Sequence, residues 1–216
     1  MSTALNALIP NPDPYGNGAT HSGLPGTAVD WIELELRSQG DPTNIVYSGS
    51  FILNNDGNVL NVDGTSGAKI PGVAKANYYV ALNHRNHLSV VSANPVDLTV
   101  ASPAYDFRTS QAKAWQDGAV STNAAMKEVT TGVFGLWEGD ANDNGVIDYL
   151  GAGTDRSEIT ALLGLTTLGI PVNGYYDTDL NLDGTVNWLG AGTDRTVISA
   201  VLGLTTLGIS KSEHMP

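Results

Sequence analysis

Cysteine is absent from the 216 residues, which excludes a disulfide framework, a thiolate metal site and a cysteine nucleophile. Basic residues are scarce: 10 Lys and Arg stand against 22 Asp and Glu, a formal net charge of -12. A surface of that sign repels a phosphate backbone, so no nucleic acid partner is expected. No run approaches the roughly 18 apolar residues of a spanning helix, so no membrane span is expected. The opening MSTALNALIPNPDPYG has neither a basic stretch nor a long apolar one and does not read as a signal peptide. The expectation is a leader removed ahead of this numbering, or another export route. There is no G-x-S-x-G, no H-E-x-x-H and no phosphate-loop lysine after GAG, so no enzyme is expected.

What is present divides into four stretches. Residues 1–26 are rich in Pro, Gly and Asn and read as an extended arm, either a disordered leader or an arm that docks on a neighbour. Residues 27–135 read as a β-sandwich domain. In DWIELELRS, Ile32, Leu34 and Leu36 share one strand face, and Trp31, Glu33, Glu35 and Arg37 the other. The apolar set reads as the core face and the charged set as a solvated one. NIVYSGSFIL, NYYVALNHR, HLSVVSA and PVDLTVAS supply further strands, and Asp56-Gly57 and Asp63-Gly64 are hairpin-turn signals. Short strands with frequent turns argue for two antiparallel sheets packed together. Residues 104–133 are expected to hold a strand and a short irregular helix.

Residues 136–210 carry a duplication, followed by a tail, 211–216. GDANDNGVIDYLGAGTDRSEITALLGLTTLGI returns thirty-nine residues later as TDLNLDGTVNWLGAGTDRTVISAVLGLTTLGI. A two-copy period near 40 residues points to two packed copies of one supersecondary unit. Each copy opens with D-x-N-x-[ND]-G, the first half of a calcium loop. Alternate residues turn oxygens inward, a glycine permits the sharp turn, and the next residue offers its backbone carbonyl. The candidate ligands are Asp140, Asn142, Asn144, Val146 and Asp148 in the first copy. In the second they are Asp179, Asn181, Asp183, Thr185 and Asn187.

The position that ordinarily holds a bidentate acid is glycine here, Gly151 or Gly190. The next acid, Asp155 or Asp194, stands four residues later. LGAG reads as an insertion that bulges out, leaving Asp155 and Asp194 either to close the cage or to cap a helix beside Thr154 and Thr193. With the closing acids included, each site has three carboxylates, Asp140, Asp148 and Asp155 against Asp179, Asp183 and Asp194, and such a group repels itself without a cation. Two Ca2+ sites are expected. Each loop leads into a helix with an apolar stripe (Ile159, Leu162, Leu163; Ile198, Val201, Leu202) ended by Gly164 or Gly203. Neither helix is long enough to be stable alone, so folding is expected to depend on the cation.

The duplicated loop-and-helix unit resembles dockerins, paired calcium-loop modules of secreted bacterial proteins. It looks closest to the variant with a Y-x-G-x-G-x-D-R insertion in hemagglutinin-like proteins, present here as YLGAGTDR and WLGAGTDR. DWIELELRS, VDGTSG and YYVALNHRNHL are similar to the β-rich region that precedes such repeats. The resemblance implies an interaction module with a cohesin-like β-domain as partner. The insertion departs from the usual unit, so no cohesin-contact residue is carried over.

The expected fold is therefore mainly β with a small α module: an antiparallel β-sandwich followed by a dockerin-like domain. The expected function is an extracellular or cell-surface calcium-binding assembly protein. Its partner is other copies of itself, as a filament or tube, or a cohesin-like domain. The alternative is a carbohydrate-binding adhesin, with glycans as ligand. His84 and His87 are expected to serve packing and hydrogen bonding. Trp31, Tyr78, Tyr79, Trp115 and Trp137 are expected in cores or interfaces.

Overall fold

The alternation in DWIELELRS is realised in the central strand of a sheet. The computed structural model describes residues 1–100 and 103–216; the last two residues of PVDLTVAS, Ala101 and Ser102, lie outside the described residues. The strands are β1 (Ala28–Ser38), β2 (Ile45–Asn54), β3 (Val59–Leu60), β4 (Asn77–His84), β5 (His87–Val91) and β6 (Val96–Asp97). They form one six-stranded sheet of order β3-β2-β1-β4-β5, with β6 also on β4, and every pairing is antiparallel. Gly57, φ +81°, makes the β2–β3 turn, the left-handed conformation that costs glycine little.

Among the described residues no second sheet faces this one; the remaining strands pair two by two. The two-sheet sandwich of the sequence reading is not confirmed. On the apolar face, Ile32, Leu34, Leu36 and Phe51 pack against loop residues Ala68, Ile70, Val73 and Leu98. This covering leaves an apolar cleft of about 1330 Å³ beside Leu53, Val80, Leu82 and Phe134.

The face read as solvated is covered instead. Trp31 is fully buried, and Glu35 and Arg37 are buried as an ion pair at 2.8 Å. Glu33 accepts hydrogen bonds from Asn17, Ser48 and Asn83. Alternation identifies the two faces of a strand but says nothing about what a distant segment lays across each. Over Trp31 and Glu33 that segment is the N-terminal arm. Leu5 and Ile9 pack on Trp31 and Ile52, Trp31 Nε1 donates to Pro10 O, and Asn6 Nδ2 donates to Pro25 O and Ala28 O. The arm is ordered and docks on its own chain. Burying Leu5 and Ile9 contributes about 1.5–3 kcal/mol each, offset in part by the entropy of ordering the arm.

Residues 107–109 and 111–113 form 3₁₀ turns, and β7 (Lys127–Thr130) and β8 (Val133–Gly135) form a hairpin. Beyond them come β9 (Val146–Ile147), α1 (Asp155–Leu163), β10 (Val172–Asn173), β11 (Thr185–Val186), α2 (Asp194–Leu202) and β12 (Lys211–Ser212). The helices end at Gly164 and Gly203, φ +77° and +85°. Ile159, Leu163, Ile198, Val201 and Leu202 share one core with Ile147, Leu180, Val186 and, from the sheet, Leu88. The fold is thus mainly antiparallel β with two small helices.

Candidate metal centres

The two repeats fold into the same loop. The first acid bonds to the backbone four and five residues on: Asp140 accepts from Asn144 N (3.1 Å) and Gly145 N (2.9 Å). Asp179 accepts likewise from Asp183 N (3.1 Å) and Gly184 N (2.8 Å). This winds the chain so tightly that Asp143 and Leu182 take positive φ, +53° and +57°, as do Gly145 and Gly184. A non-glycine residue rarely tolerates this unless its surroundings impose it. Asn144 and Asp183 bond to the N–H two residues on, Val146 and Thr185.

Asp155 and Asp194 stand in the first helical turn, yet their carboxylates point back across the loop. Asp155 accepts from Ala141 N and Asp148 N, both at 2.7 Å. Asp194 accepts from Leu180 N and Asn187 N, both at 2.8 Å. Capping of α1 falls to Thr154, which accepts from Ser157 N, and to Asp148, which accepts from Asp155 N; Asn187 does the same for Asp194 N. The Asp155 and Asp194 carboxylates thus accept from loop N–H groups rather than from their own helices, while their charge stands in the first helical turn.

The LGAG bulge makes this reach possible. Gly151, Gly153, Gly190 and Gly192 all have positive φ, which folds the insertion out of the loop plane. It is pinned by Asn142 Nδ2 to Gly153 O and Asn181 Nδ2 to Gly192 O. Arg156 stacks on Tyr149 and Arg195 on Trp188, at 5.1 and 5.4 Å. The aromatic and the arginine of Y/W-L-G-A-G-T-D-R are thus the two ends of one clip.

Asp140, Asp155, Asp179 and Asp194 are all at most 2% exposed, and none joins an ion pair among the described residues. Burial, reinforced by the partner acid of each loop, pushes Asp155 up to about 7 and Asp194 up to about 6. Burial also raises Asp140 and Asp179. Buried acids without counter-charge fit a cation: each carboxylate accepts two or three N–H bonds and keeps acceptor capacity to spare. Asn142 Oδ1 is buried without a partner.

The twelve candidate ligands do not all converge. Among the described residues no three His, Cys, Asp or Glu side chains form one ready shell. Asp148 is turned to the helix N-terminus, and Asp183 is engaged by Thr185 N and Asn181 Nδ2. Asn144 and Asp183 are exposed at the loop rim, and Val146 and Thr185 lie in the short strands β9 and β11. Thr185 Oγ1 donates to Asn173.

Sequence reasoning missed the clamp on the second loop. Asn86, fully buried at the β4–β5 turn, donates to Asp177 O (3.0 Å) and Asp179 O (2.8 Å). Beside it Arg85 pairs with buried Asp30 at 2.9 Å, stacks on Tyr175 and donates to Tyr176 O. His84 approaches the same carboxylate, as does the Tyr175 hydroxyl. The one sequence signal was the density of polar groups in NHRNHL; of its histidines, His87 Nδ1 meets Asn86 Oδ1 at 2.8 Å, and His84 is buried edge-on to His87 beside Asp30. Compared with family models, curated proteins and solved structures, the chain matches none.

Proposed function

We propose that this chain is an extracellular, non-enzymatic assembly protein whose dockerin-like repeats bind two calcium ions and hold it in an association-competent shape. The observation that carries the reading is the pair of buried carboxylates, without an ion-pair partner among the described residues, inside each of two loops whose acids make matching hydrogen bonds. In the first loop Asp140 and Asp155 would hold the ion, with Asn142 Oδ1 as third side-chain donor. In the second, Asp179, Asp194 and Asn181 take the same places. A bound Ca2+ supplies the positive charge that the loops lack. The chain's own residues do the rest: backbone N–H groups orient the acids, and the aromatic–arginine clips hold the bulge.

Association is supported by exposed apolar side chains at matching positions of the repeats. Leu165 and Leu204 are 79% and 80% exposed, and Leu150, Leu189, Ile170 and Ile209 are also in water. With the open apolar cleft on the sheet, one chain carries two different sticky surfaces, an arrangement suited to head-to-tail growth. A cohesin-like domain is the other partner of this reading. Among the described residues no helix is long and apolar enough to cross a membrane. The adhesin reading is favoured by a polar cleft of about 310 Å³ lined by Tyr15, Glu33, Arg37, Asn83 and Glu213, groups that suit a sugar.

Chelation tests the metal. At a hundredfold excess of calcium over Kd, two sites contribute about 5 kcal/mol, so a chelator is expected to lower Tm by about 10–20 °C. The double variant Asp155→Ala, Asp194→Ala is expected to melt the same with and without calcium. An unchanged Tm on chelating the wild type would refute the reading. Negative-stain microscopy with calcium tests assembly, and monodisperse monomers at high concentration would overturn it. A glycan array with no bound sugar removes the adhesin alternative.

A further inference from the structure

The short strands of the repeats do not pair within their own unit. β10, which follows α1 of the first repeat, pairs with β11 in the second loop; β12, which follows α2, pairs with β9 in the first loop. The two straps occupy the same position of the repeat. Val172↔Val186 and Asn173↔Thr185 correspond to Lys211↔Ile147 and Ser212↔Val146. The next rung matches as well: Gly174 N donates to Gly184 O at 3.0 Å, and Glu213 N donates to Gly145 O at 2.9 Å. The strap sequences, PVNG and SKSE, have no side chain in common, so the equivalence resides in the backbone ladder.

We infer that the repeat module closes by exchange: each cation loop is completed by the strand that follows the helix of the other repeat. The first loop therefore depends on residues 211–213, and filling either loop favours filling the other. Each helix has only nine residues, too few to persist alone. A cation held by Asp194 orders the start of α2, and an ordered α2 delivers residues 211–213 to the first loop. Through Asp155 and α1, the first loop delivers residues 172–174 to the second. The coupling rests on the calcium reading above; the exchange of straps is read from the strand pairing and does not.

Matched proline variants test it in the whole 216-residue chain. Antiparallel rungs alternate, so the Glu213–Gly145 and Gly174–Gly184 bonds place the N–H of Lys211 and Val172, two residues earlier, in the ladder. Proline removes that N–H. In amide exchange without metal, Lys211→Pro is expected to speed residues 145–147 about five- to tenfold and leave 184–186 unchanged. Val172→Pro is expected to do the reverse. Lys211→Ala keeps the N–H and is expected to change neither. In calcium titrations each proline variant weakens one site by a similar factor and abolishes the cooperativity of the wild type.

The inference is overturned if Lys211→Pro loosens 184–186, the loop of its own repeat, or if both variants loosen both loops equally. A crossed exchange pattern with no calcium binding by the wild type would retain the straps and sink the calcium reading. Independent, non-cooperative binding beside a crossed pattern would overturn the coupling.

Discussion

The two acidic loops share the hydrogen bonds of their first and closing acids and differ in what surrounds them. The second is clamped to the sheet by Asn86, with the Arg85 guanidinium lowering the pKa of Asp179 against the effect of burial. The first is held by the C-terminal strand and has an anion for a neighbour: Glu213 raises Asp140 further. The repeats even differ where the neighbours differ. Glu213 stands where the first repeat has Gly174, and Asn144 where the second loop has Asp183. One acid is supplied from inside the loop in one copy and from beside it in the other. A duplicated sequence thus specifies loop geometry, while stability and electrostatics come from whatever the rest of the chain lays against each copy.

Breaking the clamp is expected to have the largest effect. Arg85→Met leaves Asp30, 0% exposed, without its guanidinium, and removing one partner of a buried pair costs about 3–5 kcal/mol. Calorimetry should show that loss, and amide exchange should place it at residues 177–184 rather than 140–147. Equal loosening of both loops would mean that the clamp serves the whole fold and not the second site.

A pH titration of the metal-free chain sharpens the comparison. Asp155 and Asp194 have folded pKa values of about 7 and about 6, above the unfolded value of about 3.9. Their contribution is fully present below about pH 4 and is lost as pH rises through about 6 to 7. Metal-free stability should therefore fall across that window, and calcium should remove the fall. Flat stability between pH 4 and 7 would argue that the acids are not buried without counter-charge.

Glu213→Gln is expected to have the smallest effect. It is expected to shift first-loop calcium affinity about two- to threefold, the scale of one partly buried charge, with the second loop as internal control. A change at the second loop instead would break the assignment of Glu213 to the first.

Much of the local structure was legible in the sequence. The loop residues, both helix spans and their glycine stops, the strand alternation and the Asp56-Gly57 hairpin are local patterns, set by backbone preferences within a few residues. The reach of Asp155 and Asp194 back across their loops was half legible. Spacing named them, but the choice between closing the loop and capping the helix depended on the LGAG bulge, whose path is set by glycine φ values and the arginine clips.

The sequence by itself determined that the chain has two equivalent acidic loops, short helices and an antiparallel β region. These follow from periodicity and from what Asp, Asn and Gly do to the backbone nearby. Tertiary structure alone decided that no second sheet faces the first among the described residues, that the arm covers Trp31 and Glu33 of β1, that NHRNH clamps the second loop, and that each repeat straps the other. Those contacts join residues tens of positions apart, and no local preference records which distant segment will cover a given face.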